Sequence, residues 1–231
     1  GLLAYERFHP DPAIVRACVR LGELLLDTYV PGRADLTTIG SRHGMSSTVL
    51  LESIVMLYER TGDRRFLDFA ARIHEVTEAN PQLRLVTALT SGMDVSVPGD
   101  GKAYQLLSTL LGYARLYRFS GEASYLAALE RAWQNVHDNH TYTTGGPWSY
   151  KSDAARNQEC FVPPGYFHPT NLVETCSTTT WVQVSLELLK LTGKAQYAEE
   201  AERAVLNHLI GAQAPRGREW AYFTAANTAK R

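Results

Sequence analysis

Cysteine is scarce in this chain. Cys18, Cys160 and Cys176 are the only three in 231 residues, too few for a disulfide framework, so the redox compartment stays open. Long apolar runs are missing too. None reaches the roughly 18 residues that a membrane-spanning helix needs. Neither sign of charge is in excess: 23 basic residues face 24 acidic ones, and the basic ones do not gather into a stripe. That excludes the electrostatic footprint of a nucleic-acid binder. There is no Gly-x-Gly-x-x-Gly run, no phosphate loop and no strand–helix alternation, which disfavours nicotinamide and phosphate cofactors. No secretory leader is visible at residue 1, although that excludes nothing if the start is internal. What is present is a 45% hydrophobic composition, enough for the core of a soluble globular domain. A secreted or periplasmic setting for the intact protein is left open, as is its oligomeric state.

One pattern recurs. Leu57-Tyr58-Glu59-Arg60-Thr61-Gly62, Leu116-Tyr117-Arg118-Phe119-Ser120-Gly121 and Leu188-Leu189-Lys190-Leu191-Thr192-Gly193 each end an apolar-periodic helix at a glycine. A second helix follows each, with an aromatic residue (Phe66, Tyr125, Tyr197) four positions past the glycine. The glycines fit helix C-caps, where a positive φ is required. They stand 59 and 72 positions apart, more than the roughly 34–47 residues of common helical solenoids. Helical hairpins with long interposed loops fit a closed α/α toroid better, with a simple solenoid as the alternative.

The pattern predicts helices over 1–8, 11–28, 44–61, 64–78, 101–119, 122–138, 171–191 and 195–211. Strand is expected at 83–88 and 219–224, with 141–144 as a third candidate. The loops at 29–43, 79–100, 139–170 and 212–231 are long enough to suggest function. Leu3-Ala4-Tyr5-Glu6-Arg7-Phe8 resembles the run that ends at Arg60, so residue 1 is expected to lie inside a helix. The chain therefore reads as an internal fragment of one larger domain.

The chemistry concentrates between Gln158 and Cys176. Two carboxylates, two thiols and one imidazole share nineteen residues there. Glu174 and Cys176 pair a carboxylate with a thiol, a set that suits zinc. Both are expected at a helix N-terminus, whose positive end favours anions. Glu159 remains as a spare acid among Phe161, Val162 and Pro163, which would desolvate it. Each has an ordinary reading as well: an exposed loop glutamate, a capping glutamate and a buried thiol.

These residues sit in an ordered set of motifs. Gly101-Lys102-Ala103-Tyr104 opens one helix and Tyr142-Thr143-Thr144-Gly145-Gly146 precedes Glu159. Glu174-Thr175-Cys176 opens another helix, and Glu202-Arg203-Ala204-Val205-Leu206-Asn207 closes its hairpin. The set resembles the β-L-arabinofuranosidase family of glycoside hydrolase family 127 and its relatives, from about residue 43 to 224. The resemblance implies an all-α fold, an (α/α)6 toroid of the six-hairpin glycosidase type, here incomplete at both ends. It implies a retaining glycosidase that removes terminal β-L-arabinofuranose from plant-type glycans, with Glu159 as general acid/base. It implies zinc held by one glutamate and three cysteines, with Glu174 and Cys176 as the first two ligands. The remaining cysteine pair, including the nucleophile, is expected beyond Arg231. Substrate contacts are expected from His43, Lys102, Trp148, Tyr166 and His168.

This sequence also departs from the family pattern. Lys102 stands where family members often carry histidine, a histidine expected near Val49 is absent although His43 is close by, and the loop between Glu159 and Glu174 is about one residue short. The exact sugar therefore stays open. Two other functions fit the residues: a metal-free glycosidase pairing Glu159 with Glu174 or Asp153, and a glycan-binding toroid without turnover. Cys160 reads as a packed loop thiol, a substitute ligand or a disulfide partner for Cys176. Cys18 reads as core, Ser46 and Ser47 as helix caps, and His137, His140 and His208 as structural.

Overall fold

The computed structural model describes residues 1–149, 159–165 and 171–225. Its helices are α1 (Leu2–Glu6), α2 (Pro12–Thr28), α3 (Leu36–Ile39), α4 (Met45–Thr48), α5 (Leu50–Thr61), α6 (Arg64–Ala79) and α7 (Leu85–Thr90). A 3-10 turn at Pro98–Gly101 leads into α8 (Ala103–Ser120), followed by α9 (Ala123–Asn139), α10 (Thr175–Thr192) and α11 (Ala195–Arg203). A π-helical stretch, Ala204–Leu209, carries α11 on into α12 (Ile210–Ala212). Three short strands, β1 (Trp148–Ser149), β2 (Leu172–Glu174) and β3 (Phe223–Thr224), form an antiparallel sheet in that order.

The three predicted hairpins are α5/α6, α8/α9 and α10/α11. Gly62, Gly121 and Gly193 take left-handed φ values of 70°, 67° and 71°, and each returns its N–H to the carbonyl four residues back. An added Cβ would meet nothing at any of the three, so the backbone dihedral alone selects glycine. Asp63 and Glu122 then cap α6 and α9 by accepting the N–H groups of Arg65 and Ser124. Phe66, Tyr125 and Tyr197 are all buried and hold the returning helices down.

α8 packs between α5 and α10, and these three form an inner layer. Its burial runs all round the helix, from Leu106 and Leu107 through Leu110, Leu111 and Tyr113 to Ala114, as a central helix requires. Gly112 permits the approach of α5, because a Cβ there would lie 2.7 Å from the Leu51 side chain and 2.8 Å from the Glu52 nitrogen. Arg115 crosses the same contact to Glu52 and Glu59, and Arg118 pairs with Glu187 on α10. α6, α9 and α11 are amphipathic and form the outer layer. Trp133 on α9 stacks on Trp181 of α10 at 5.4 Å and donates to the Ser185 hydroxyl. The all-α class and the paired-helix arrangement are those expected.

Several local expectations are corrected. Residues 83–88 are not a strand, since α7 occupies most of that range. The Glu78 carboxylate accepts the N–H groups of Val86 and Thr87 and the Thr87 hydroxyl, which satisfies the first-turn donors of a helix. Residues 141–144 form a turn, with Thr141 bridged to Pro147. Of 219–224, only Phe223–Thr224 is strand, while Trp220 bridges singly to Gln213. The helix expected over 44–61 breaks at Val49 into α4 and α5. The helix expected from 171 starts at Thr175, because Leu172–Glu174 is the central strand. Cys18 packs against the core only half-buried, since α2 presents Gly22 to Leu57 and Phe66 and leaves Leu21 and Leu24 exposed.

Candidate active site

The N-terminal ends of the inner helices meet the small sheet, and the candidate residues collect at that junction. Glu174 is the last residue of β2 and is 1% exposed. It holds the N-cap position of α10, but its carboxylate makes no capping bond and instead accepts the Ser177 hydroxyl at 2.7 Å. Cys176, in the first turn of α10, interacts with Glu174 and with Tyr222. The approach of β3 fixes Tyr222: its carbonyl accepts the Thr175 N–H at 3.0 Å, and the Ala221 carbonyl accepts the Thr175 hydroxyl.

Glu159 arrives from another direction. The segment from Glu159 to Phe161 lies antiparallel along Gly101–Ala103. The Glu159 carbonyl accepts the Ala103 N–H, and the Gly101 carbonyl accepts the Phe161 N–H. Glu159 takes a left-handed φ of 71° to do this, a conformation that costs a non-glycine residue energy and is often found at functional sites. The result is an ion pair between Lys102 Nζ and Glu159 Oε2, with side chains 12% and 21% exposed. The Tyr222 hydroxyl donates to the other carboxylate oxygen, Oε1, at 2.8 Å. Tyr222 therefore links Glu159 to Glu174 and Cys176.

Solvent access varies across the cluster, from 1% exposure at Glu174 to 49% at Tyr222, and its titrating groups respond to the buried part. Burial pushes the Cys176 thiol up, and the Glu174 carboxylate pushes it further. Burial also raises the Cys160 thiol. Tyr222 is pushed up to about 12, first by burial and then by the charge of Glu174. Burial pulls the Lys102 ammonium down, and Glu174 partly offsets it. Both thiols of the cluster therefore stay protonated at neutral pH unless a cation replaces the proton.

Glu174 and Cys176 are donors that zinc accepts. Among the described residues no group of three His, Cys, Asp or Glu is placed to hold a metal ion. Two donors do not complete a tetrahedral site, so no chemical step is assigned to a metal here.

The other candidates divide. His43 sits on the rim of the cluster: its Nε2 faces Asp100 Oδ1 at 3.2 Å, and Arg42 reaches the same carboxylate at 3.3 Å. Arg42 and Asp100 both act on Cys160. Lys102, at the head of α8, pairs with Glu159. Trp148 belongs to the opposite face of the sheet. It pairs with Val173, the neighbour of Glu174, and strand alternation turns the two residues apart. No disulfide joins Cys160 to Cys176; Cys160 is buried beside Val162 and Trp148. Tyr166, His168 and Asp153 lie outside the described residues. His140 is structural, with Nε2 against Asp94 Oδ2 at 3.0 Å.

Tyr222 is the functional side chain that the sequence reading missed. The extended run around it is legible, but its partner strand ending at Glu174 reads as helix, so nothing brings the two together.

Residues 26–231 match the family model described as β-L-arabinofuranosidase, GH127 catalytic domain. A non-reducing end β-L-arabinofuranosidase of Bifidobacterium longum subsp. longum is 22% identical over 211 residues, covering 82% of this chain and 32% of the relative. Two solved structures share the fold. A GH127 β-arabinofuranosidase aligns with TM-score 0.76 and 19% identity over 96% of this chain and 34% of its own. Ara127N, a GH127 β-L-arabinofuranosidase from Geobacillus stearothermophilus T6, aligns with TM-score 0.75 and 20% identity over 98% of this chain and 37% of its own. The fold class is thus that of the (α/α)6 barrels. The chain spans about a third of the length of the relatives it matches.

Proposed function

The chain belongs to the family of the GH127 β-L-arabinofuranosidase catalytic domain, and on that premise we propose that the intact protein is a retaining glycoside hydrolase. Its substrate is a terminal sugar, β-L-arabinofuranose in plant-type glycans. Glu159 is the general acid/base. It gives a proton to the leaving glycosidic oxygen in the first half-reaction and takes one from water in the second. Tyr222 and Lys102 each engage one oxygen of that carboxylate, which fixes the plane from which the proton moves. The attacking group would be a thiolate, and Glu174 and Cys176 would contribute two of the ligands to a zinc ion. Zinc would supply a deprotonated thiol at neutral pH.

The observation that carries this reading is the convergence of Glu159, Glu174 and Cys176 around one tyrosine hydroxyl. A second reading stays in play because Glu174 is itself a carboxylate in the same cluster: a two-carboxylate mechanism without metal. Zinc analysis of the intact protein separates the two, since stoichiometric zinc lost in Cys176→Ser supports the thiolate mechanism.

Aryl glycosides test the hydrolytic proposal. The intact protein should release the aryl group from an aryl β-L-arabinofuranoside, and Glu159→Gln should lower kcat about 10²–10⁴-fold. Full activity in Glu159→Gln would overturn the assignment of that residue. Failure to cleave any aryl glycoside would overturn the proposal as a whole. No helix among the described residues is long and apolar enough to cross a membrane.

A further inference from the structure

Behind the sheet, on the face away from Glu174, lies a cavity of about 240 Å³. The strand register fixes its floor: Trp148, Val173 and Thr224 are paired across the three strands and share that face. Tyr142 meets Trp148 edge-on at 4.1 Å and forms one wall with it. Asn171 and His208 form the other, each only 3% exposed.

Two atoms in that second wall are unsatisfied. Asn171 Nδ2 and His208 Nε2 have no hydrogen-bond partner among the described residues. Buried polar groups are almost always paired, and an unpaired one is costly. Two of them lining one cavity point to a ligand that brings hydroxyl groups. The fold also goes out of its way to bring His208 here. His208 lies in the π-helical stretch, an irregularity frequently found at functional sites. Gly146 lets the imidazole and β2 close on each other, because a Cβ there would lie 2.3 Å from Val173 Cγ1 and 3.2 Å from His208 Cγ. The Thr144 hydroxyl engages His208 Nδ1 at 3.2 Å and fixes the ring, leaving Nε2 for a ligand.

We propose that this cavity is a second carbohydrate site, taking one neutral sugar ring, separate from the cluster around Glu159. Among the described residues no Lys, Arg, Asp or Glu lines it. Burial keeps His208 neutral down to a pH of about 4, so nothing in the wall would balance a charged ligand. Sugar acids and phosphorylated sugars are thereby disfavoured. A neutral sugar offers hydroxyls that both donate and accept for Asn171 and His208, and an apolar C–H face that suits a wall built with aromatic rings. The volume suits one ring and not a chain. The site needs no turnover, so it goes beyond the hydrolytic reading and does not depend on it.

Gly211 provides the test. It lines the cavity, sits in the short helix α12, and a Cβ added there meets nothing within 4 Å. Gly211→Leu should therefore fold normally and fill the space. Calorimetric titration of the intact protein with L-arabinose, D-xylose and D-galactose should show saturable binding that persists in Glu159→Gln. The same binding should weaken at least tenfold in Gly211→Leu and in Trp148→Ala, each shown to be folded by circular dichroism. D-glucuronate should not bind. The proposal is overturned if no neutral sugar binds, which would leave ordered water as the occupant. It is also overturned if binding survives Gly211→Leu, if it disappears in Glu159→Gln, or if D-glucuronate binds equally well.

Discussion

Lowering the pH from 7 to 5 offers His208 a proton that the folded state does not accept. Burial holds its imidazole down from the ordinary 6.5 to about 4. The unfolded chain keeps the ordinary value. Between those two pH values the unfolded state binds one more proton than the folded one, so stability falls as pH falls. The stabilisation is fully present above about pH 6.5 and is lost as pH drops towards 4. Each pH unit in that window costs about 1.4 kcal/mol, so the cost at pH 5 is about 2 kcal/mol. At this chain length 1 kcal/mol moves Tm by about 2–4 °C. His208→Leu has no such proton to gain, and the remaining titrating groups are common to both proteins. Thermal unfolding at pH 7 and pH 5 should therefore show the unsubstituted protein losing about 4–8 °C more than His208→Leu. Equal losses in the two proteins would refute the reasoning, and with it the claim that the imidazole is desolvated.

Other substitutions probe the cluster and the frame. Tyr222→Phe removes one hydrogen bond to the Glu159 carboxylate, a contact worth about 1.5–3 kcal/mol when an ionised group is involved. It should lower kcat/KM about tenfold or more while Tm stays nearly unchanged; unchanged kcat/KM would remove Tyr222 from the site. Cys176→Ser and Glu174→Gln should each lower the zinc content of the intact protein, read by atomic absorption, whereas Cys18→Ser should not. Gly112→Ala brings a methyl group within 2.8 Å of the α5 backbone and should cost about 1–3 kcal/mol in urea unfolding, net of any gain in helix propensity.

The hairpins were legible because their signals are local. A glycine that must take positive φ, an aromatic one turn later and an apolar period of 3.6 all lie within a dozen residues. Glu159, Glu174 and Cys176 were legible as chemistry, being acids and thiols packed into one short segment. Their surroundings were not. Lys102 meets Glu159 across 57 positions, and Tyr222 meets it across 63; no periodicity encodes such pairs. β1 and β2 are not legible because two or three residues are too short for alternation to show, whereas β3 falls inside the expected 219–224. α7 was taken for a strand because its stabilising contact comes from Glu78, eight residues before Val86, beyond the reach of an ordinary capping motif.

The π-helical stretch at Ala204–Leu209 makes the spacing of this chain tolerant in one place. A π-turn holds one residue more than an α-turn, so deleting one residue there would tighten the coil to an ordinary pitch while the chain beyond it keeps nearly its place. His208, inside the stretch, would change its direction, whereas the segment leading to Tyr222 would stay near Glu159. Chain length at that one point therefore sets the aim of the imidazole into its cavity, and a one-residue gap would be expected to disturb that face of the sheet and spare the other.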